Sequence, residues 1–364
     1  MKIDGVPYQS IWRGADGSVR VIDQSRLPFE FATVELARVE DAARAISSMM
    51  VRGAPLIGAT AAYGLALGVR EDPSDTAIES AAAMLAGTRP TAHNLAWALS
   101  RMRGTLVGVP LSARAEAAFS EAAAICAEDV EQCRAIGVHG ASILRRLALA
   151  APGRPLNILT HCNAGWLACV DWGTALAPVY RAHDDGIPVH VWVDETRPRN
   201  QGASLTAFEL AAHGVAHTVI ADNLGGHLMQ RGRVDVAIVG SDRTTASGDV
   251  CNKIGTYLKA LAAYDNGVPF YAALPLSTID WSITRGEQIP IEQRPESELT
   301  HVTGQIETGG LATVRVVPIA SRALNLAFDV TPARLVTGLI TERGICEASV
   351  QGLRQLYPGL GSAG

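Results

Sequence analysis

Five short apolar segments, separated by helix-like stretches, constrain the fold of this 364-residue chain more than any other feature. Their sequences are LNILT (156–160), VHVWV (189–193), HTVIA (217–221), VDVAIVG (234–240) and VPFYAAL (268–274). Strands that are apolar on both faces are typical of a parallel sheet covered by helices on either side. With right-handed crossovers, this alternation predicts the α/β fold class with a doubly wound parallel sheet.

The part of the chain before this alternation has a helical pattern. From about residue 35 to 150 the sequence predicts helices without an intervening strand, and its last part, from about 112 to 149, is alanine-rich. Pro55 and Pro90 are placed like first-turn prolines, which predicts helices that start after residues 52–54 and after Arg89. The segments before residue 35 predict a small sheet, and Thr331-Pro332 predicts a last helix through about Thr341.

Composition and charge argue against several classes of partner. A net charge of −5, without a block of lysines or arginines, is not typical of a protein that binds nucleic acid. No apolar stretch reaches the roughly 18 residues of a membrane span, and the first residues lack a signal-peptide pattern, so we expect a cytoplasmic protein. The six cysteines form no C-x-x-C pair and the nine histidines lack zinc-site spacing, which predicts reduced thiols and no metal.

Polar residues follow four of the apolar segments directly. They are Thr160-His161-Cys162-Asn163, Asp194-Glu195-Thr196-Arg197, Asp222-Asn223 and Ser241-Asp242-Arg243. Ligands of open parallel sheets bind beyond the carboxyl ends of the strands, so we expect these residues to meet in one crevice. A thiol, carboxylates and hydrogen-bond donors at one rim favour acid–base chemistry on a small polar substrate.

Cys162 and Asp242 are the candidate reactive groups of this crevice. A helix beginning after Cys162 would lower the pKa of the thiol, although a buried packing role fits the sequence equally well. Asp242 could act as an acid only if burial raised its pKa, and it could instead cap a helix or pair with Arg243. His161 is expected to belong to the structural framework.

Several basic residues predict a binding site for an anion. Arg52-Gly53-Ala54 lies at a predicted helix N-terminus, where free N–H groups and a guanidinium can hold a phosphate. Arg89 is placed similarly, and Asn252-Lys253 is predicted at the start of a helical stretch. Each of these cations is also compatible with a plain surface position. The segment IGATAAYG is expected to serve close helix packing rather than dinucleotide binding.

Several motifs together resemble one known family, the methylthioribose-1-phosphate isomerases, over nearly the whole chain. The motifs are RGAPLIGATAAYG, THCNAG, DETRPRNQGASLTAFEL, ADNLGGHLM, VGSDRTTASGDVCNKIGTY and VPFYAALPLSTID. That family shares its fold with the regulatory subunits of initiation factor 2B. The resemblance implies a mainly helical N-terminal domain (1–130), a Rossmann-like catalytic domain (131–364) and a homodimer.

The resemblance also implies roles for individual residues. Cys162 and Asp242 would be the catalytic pair, and the substrate-binding residues would be Arg52, Gly53, Ala54, Arg89, Gln201, Asn252 and Lys253. The chain departs from the family pattern at Asn200, Ser204, Ser241 and Cys251. Of these, Ser204 bears on substrate preference more than on reaction type.

The implied reaction converts a sugar 1-phosphate, 5-methylthioribose 1-phosphate, to the corresponding ketose. The C1 phosphate blocks ordinary ring opening, so an acid, Asp242, would protonate the ring oxygen. Hydrogen would pass from C2 to C1 as a proton through Cys162 or as a hydride, without a cofactor or metal. The alternatives are an isomerase for ribose 1,5-bisphosphate or 5-deoxyribose 1-phosphate and, from another class, a non-catalytic regulatory subunit. The presence of both Cys162 and Asp242 argues against the latter.

Overall fold

The N-terminal part packs a group of helices beside small sheets, as expected. The computed structural model describes residues 1–360. Its first strands are β1 (Lys2–Ile3), β2 (Val6–Pro7), β3 (Ile11–Arg13), β4 (Val19–Ile22) and β5 (Thr33–Leu36). The helices that follow are α1 (Val39–Ser47), α2 (Ala54–Glu71), α3 (Asp75–Thr88), α4 (His93–Leu106) and α5 (Leu111–Ala150).

Helix α2 is the centre of this helical group. It is buried at almost every position and contacts α1, α3, α4 and α5. A Cβ atom at Gly64 would lie 2.6 Å from Cβ of Ala42 in α1, so only glycine allows this approach. The small residues of α2 therefore serve helix packing, as the sequence predicted.

The remaining chain alternates strands and helices. The strands are β6 (Leu156–Thr160), β7 (Val189–Asp194), β8 (His217–Ile220), β9 (Val236–Val239), β10 (Arg243–Thr245), β11 (Val250–Lys253), β12 (Phe270–Ala273), β13 (Ile279–Asp280), β14 (His301–Gln305), β15 (Leu311–Arg315), β16 (Phe328–Thr331), β17 (Gly338–Thr341) and β18 (Gly344–Cys346). The helices are α6 (Ala177–Asp184), α7 (Ala207–His213), α8 (Leu224–Gln230), α9 (Thr256–Asp265), α10 (Ser297–Thr300) and α11 (Val350–Leu356).

A seven-stranded sheet forms the core of this part, in the order β18-β17-β12-β9-β6-β7-β8. All neighbouring strands are parallel except β18, which runs antiparallel to β17. The chain extends the sheet from β6 through β7 to β8, and then returns to place β9 on the other side of β6. This reversal is the topological switch point at which ligands of such sheets bind, and the predicted α/β fold class is confirmed.

A second, four-stranded sheet in the order β13-β10-β11-β16 was not predicted. Asn252 and Lys253 lie on its strand β11, and α9 begins only at Thr256. The prediction that these two residues open a helix is therefore wrong. The strand places their side chains in fixed, buried positions.

Two predicted helix starts are also wrong. Thr331 ends strand β16, and Pro332 precedes a single 3-10 turn followed by the fully buried strand β17. Pairing of β17 with β12 outweighs the local helix signal. Arg89 and Pro90 lie in the connection between α3 and α4, whereas Pro55 lies in the first turn of α2 as predicted.

Helix α5 passes through residue 130, where the two domains were predicted to meet. It contacts α2 of the helical group and α6 of the α/β part. The boundary thus lies inside one continuous helix, and the division into two domains stays a prediction. Among residues 1–360, no helix is both long enough and apolar enough to cross a membrane.

Candidate active site

Cys162 lies just beyond the carboxyl end of β6, at the switch point of the sheet. Its φ of 67° is in the left-handed region, which is rare for a residue with a side chain. Two threonines hold this conformation, since Cys162 N–H donates to Thr196 Oγ1 (2.8 Å) and Thr206 Oγ1 donates to Cys162 O (2.7 Å). The thiol lies 3.3 Å from Gln201 Oε1 and 4.0 Å from Arg52 Nη2.

The environment of the Cys162 thiol differs from the sequence-based expectation. No α-helix directly follows Cys162 in the chain, because the next helical turn is the 3-10 segment Trp166–Ala168 and α6 begins at Ala177. Burial raises the pKa of the Cys162 thiol, although Arg52 and Lys253 act in the opposite direction. The expected lowering of its pKa by a helix N-terminus is therefore wrong.

Asp242 follows strand β9, which is the neighbour of β6 in the sheet. Its backbone N–H donates to Cys251 O (2.9 Å), which fixes the start of the β10–β11 hairpin. Arg243 does not pair with Asp242 but contacts Asp280 Oδ2 (3.4 Å) and Thr91 O (2.6 Å). The residue after Asp242 begins a strand rather than a helix, so neither structural role considered for this carboxyl is observed.

Protein surrounds the Asp242 carboxyl closely, although part of the residue remains exposed to the cavity. Burial raises the pKa of this carboxyl above its ordinary value of 3.8, and Lys253, Arg52 and Arg89 oppose the shift. A raised pKa is the property that an aspartic acid needs to act as a proton donor.

Cys162 and Asp242 line the same small cavity of about 30 Å³. Four predicted substrate-binding residues line it as well: Arg52, Gly53, Ala54 and Asn252. Gly53 has a φ of 100°, and a Cβ atom there would lie 2.5 Å from Cα of Ala168. Glycine at this position therefore lets the N-terminus of α2 approach the chain that follows Cys162.

The other predicted binding residues do not line this small cavity but lie near Cys162 or Asp242, and they are Arg89, Gln201 and Lys253. Lys253 is buried, lies 5.0 Å from the ring centroid of Phe328, and forms no ion pair with the described residues. Burial lowers the pKa of the Lys253 amine. Arg89 lines an adjoining cavity together with Asp242 and pairs with Glu292 Oε2 (2.6 Å).

A larger cavity of about 560 Å³ adjoins the Cys162 thiol through Arg52 and Gln201. Part of its wall is apolar and is formed by Leu27, Phe29, Met49 and Leu205. Its other arginine, Arg199, pairs with Glu298 Oε1 at 3.1 Å, and Ser204 also lines it.

The residues that orient Arg52 were not predicted from the sequence. Arg52 donates from Nη2 to Asn163 O (2.8 Å) and from Nη1 to Asn163 Oδ1. Asn163 Nδ2 in turn donates to Glu209 Oε1 (2.8 Å), whose carboxylate also accepts a hydrogen bond from Tyr180 OH (2.8 Å). Burial raises the pKa of Glu209 to about 7. The only signal in the sequence was an acidic residue among the apolar residues of TAFEL.

Two groups of described residues have metal-ligand types within 4.8 Å of one another: Asp129 with Cys133 and Cys169, and His161 with Asp194 and Asp222. In the second group, Lys259 Nζ lies 3.2 Å from Asp194 Oδ2, so a protein ammonium already supplies a positive charge. Neither group includes Cys162 or Asp242.

Comparisons with known proteins identify the family to which this chain is similar. The pattern of the initiation factor 2 subunit family matches residues 50–348. The chain is 67% identical over 360 residues to methylthioribose-1-phosphate isomerase of Methylobacterium nodulans, with 98% of both chains covered. It is 68% identical to the enzyme of the same name from Methylorubrum extorquens, with the same coverage.

Solved structures give the same result. Crystal structures of 5-methylthioribose 1-phosphate isomerase from Pyrococcus horikoshii and of the translation initiation factor eIF-2B delta subunit from A. fulgidus are similar to this chain. The match to the isomerase has a TM-score of 0.82 and 40% sequence identity, and it covers 98% of this chain and 99% of the isomerase chain. The match to the initiation factor subunit has a TM-score of 0.79 and 37% sequence identity, and it covers 96% of this chain and 99% of the subunit. The chain therefore belongs to the initiation factor 2 subunit family and, within it, to the methylthioribose-1-phosphate isomerases.

Proposed function

We propose that this chain isomerises 5-methylthioribose 1-phosphate to 5-methylthioribulose 1-phosphate, with Cys162 and Asp242 as its catalytic pair. The observation that carries the proposal is the shared cavity, in which a thiol and a carboxyl of raised pKa lie among cationic residues. The names of relatives that are 61–68% identical support the same reaction. The proposal includes a cytoplasmic location and a homodimer.

The C1 phosphate would be held by cations and backbone donors. Arg52 and Lys253 are cations that lower the pKa of both Cys162 and Asp242. The first N–H groups of α2, which begins at Ala54, have no partners within the helix and favour an anion. Arg89, Gln201 and Asn252 complete the proposed binding set.

Asp242 would protonate the ring oxygen of the sugar as the ring opens. Because burial raises its pKa, this carboxyl keeps a proton to higher pH than an ordinary aspartic acid does. General acid catalysis by one such group contributes on the order of 10²- to 10⁴-fold to the rate. Enclosure of the phosphate and the reacting carbons would supply further acceleration.

Two routes for the hydrogen remain compatible with this site. Cys162 would remove the C2 proton in the first route, or stabilise a direct hydride shift from C2 to C1 in the second. A thiol of raised pKa holds its proton more firmly, which favours the shift. Reaction in heavy water separates the two, because only proton exchange with solvent places deuterium on C1 of the product.

The larger cavity favours a methylthio group at C5 over a second phosphate. Seven apolar residues line it, and they include Met49 with its thioether. Its Arg199 is already paired with Glu298, which leaves less positive charge for a phosphate than an unpaired arginine would. Ribose 1,5-bisphosphate is therefore the weaker alternative, and 5-deoxyribose 1-phosphate differs only in filling less of the apolar wall.

Phosphorus NMR of the purified protein with each of the three sugar 1-phosphates tests the proposed function. We expect the product from 5-methylthioribose 1-phosphate to form fastest, and the Cys162→Ala variant to lose most of this turnover while remaining folded. Cys346→Ala, which changes a cysteine outside the site, serves as the control. Absence of turnover with all three sugars would instead favour a non-catalytic regulatory subunit, and near-parental turnover by Cys162→Ala would remove this residue from the mechanism.

A further inference from the structure

His161 directly precedes Cys162 and links three segments of the site. Its ring is buried, with 1% of its surface exposed. Nδ1 lies 2.8 Å from Oδ2 of Asp194, at the end of β7, and Nε2 lies 2.8 Å from the carbonyl oxygen of Ile254. Ile254 follows Lys253 at the end of β11. The ring thus spans the distance between the strand end that carries Cys162 and the strand end that carries Lys253.

The partners of His161 require both ring nitrogens to donate. A carbonyl oxygen is only an acceptor, and an ionised carboxylate is as well. Lys259 Nζ lies 3.2 Å from the same Asp194 oxygen, which favours the ionised carboxylate. The other carboxylate oxygen of Asp194 has no hydrogen-bond partner, so a proton on it would have no acceptor.

The charges around His161 are consistent with a cationic ring. The groups that face it from the neighbouring elements are the carboxylates of Asp194, Asp222 and Asp329 and the ammonium of Lys259. Burial raises the pKa of Asp329, so the charges to be balanced are chiefly those of Asp194 and Asp222. Two cations, His161 and Lys259, would balance these two carboxylates.

The turn after Lys253 is held between His161 and Asp329. Gly255 has a φ of 103°, and a Cβ atom there would lie 3.0 Å from Cε1 and Nε2 of His161. Asp329 accepts hydrogen bonds from the backbone N–H groups of Gly255 (2.6 Å) and Tyr257 (3.1 Å). Pairing of β11 with β16 fixes Lys253 within its own sheet. The bond from His161 Nε2 to Ile254 links the end of this strand to the residue that precedes Cys162.

We propose that His161, protonated at both ring nitrogens, is a positioning residue that fixes Lys253 relative to Cys162. The role of Lys253 as a ligand of the substrate phosphate rests on the proposed function. The protonation of the ring and its bond to Ile254 do not.

Two variants of His161 can each keep only one of the two hydrogen bonds that its ring forms with Asp194 and Ile254. The side-chain amide of His161→Gln can replace Nε2 as donor to Ile254, whereas that of His161→Asn can replace only Nδ1 as donor to Asp194. We expect His161→Asn to raise KM about tenfold, the effect of losing one charge-assisted hydrogen bond, and His161→Gln to raise it by less than about threefold. His190→Gln, on the neighbouring strand β7, serves as the control. Equal effects of the two variants, or a larger effect of His161→Gln, would overturn the proposed link to Lys253.

Nitrogen-15 NMR of the histidine rings tests the proposal without substrate. We expect both ring nitrogens of His161, assigned in the parent protein through their correlation with the backbone signals of the same residue, to carry protons at pH 7. A nitrogen without a proton would overturn the cationic ring, even if neither variant folds. Calorimetric titration with inorganic phosphate provides an affinity that does not depend on turnover, and we expect His161→Asn to weaken it more than His161→Gln. If no sugar phosphate is isomerised, the proposed function fails while these measurements still decide the role of His161.

Discussion

Individual residues of this site owe their chemical character to burial more than to their nearest neighbours. Burial is the largest influence on the pKa of Cys162, Asp242 and Lys253, and in each case it favours the uncharged form. The three groups also act on one another, because Lys253 lowers the pKa of both Cys162 and Asp242. Burial shifts the acid and the thiol toward their uncharged forms next to Arg52, which favours a positive site that suits a phosphorylated sugar.

The Asp242→Asn substitution tests the proton donor at this scale. We expect kcat to fall on the order of 10²- to 10⁴-fold, because an amide keeps the shape of the side chain but cannot protonate the ring oxygen. In the parent, the rate should fall as the pH rises through the raised pKa of Asp242, since only the protonated form is active. Steady-state rates across pH measure both effects.

The matched control is Asp265→Asn, which changes an exposed aspartate at the end of α9. Its rates should follow those of the parent at every pH. An Asp242→Asn variant that retained the rate of the parent, with the same fall at high pH, would assign the proton donor to another group.

At the scale of elements, the N-terminus of α2 is placed in the site by one glycine. Gly53 has a positive φ and lies against the backbone of Ala168. Gly108, in the connection between α4 and α5, also has a positive φ (74°), but a Cβ atom there would meet nothing within 4 Å. The two positions therefore share backbone strain and differ in steric contact.

The Gly53→Ala variant should both lose stability and raise KM. We expect Gly108→Ala to lower the free energy of unfolding by about 1–2 kcal/mol, the cost of a left-handed conformation for alanine. Gly53→Ala should cost more, because its Cβ atom would displace α2 from Ala168, and only this variant should bind substrate less well. Urea unfolding and steady-state kinetics measure these quantities. A folded Gly53→Ala variant with parental KM would separate the start of α2 from substrate binding.

The strands that could be predicted from the sequence are those whose own residues are mostly apolar. The five apolar segments became β6, β7, β8, β9 and β12. Strands β6, β9 and β12 are almost entirely buried, whereas the edge strand β8 is partly exposed. Strands β10 and β11 are short and polar, with the sequences RTT and VCNK, and exist only because they pair with each other and with β13 and β16. Pairing between distant segments also overrode the helix signal at Thr331-Pro332.

The sequence likewise predicted the residues of the site that follow apolar strands, but not the contacts between distant segments. Cys162 and Asp242 follow apolar strands, so the topology of a parallel sheet places them at one edge. The contact of Asn163 with Glu209 spans 46 positions and depends on how α7 packs, which no local pattern reveals. The direction of the shift in the thiol pKa was missed for the same reason, because it results from burial of Cys162 by segments distant in the chain.

At the scale of the whole molecule, α5 connects the helical group to the α/β part through a buried carboxyl. Asp129 lies on α5 and accepts a hydrogen bond from the backbone N–H of Val170 (2.7 Å), in the chain that follows Cys162. The carbonyl of Val170 in turn accepts a hydrogen bond from the N–H of Ser10 (2.9 Å). Asp129 thus joins the long helix, the segment after Cys162 and the N-terminal strands.

The stability of the fold should depend on pH through Asp129. Burial raises the pKa of Asp129 from 3.8 to about 7, so the folded state keeps a proton that the unfolded state releases near pH 4. Between about pH 4 and pH 7 the unfolded state therefore binds fewer protons, and this group's contribution to the free energy of unfolding falls as the pH rises. Asp129→Asn cannot release a proton, so the stability of the parent relative to this variant should decrease across the same range.

Urea unfolding of both proteins at several pH values between 4.5 and 7.5 measures this relative stability. Glu209, whose pKa burial also raises to about 7, makes the same contribution to both proteins and cancels in the difference. For Asp265→Asn, at an exposed position, the difference from the parent should stay constant with pH. A constant difference for Asp129→Asn as well would mean that Asp129 is ionised in the folded protein, and that its hydrogen bond to Val170 compensates fully for burial.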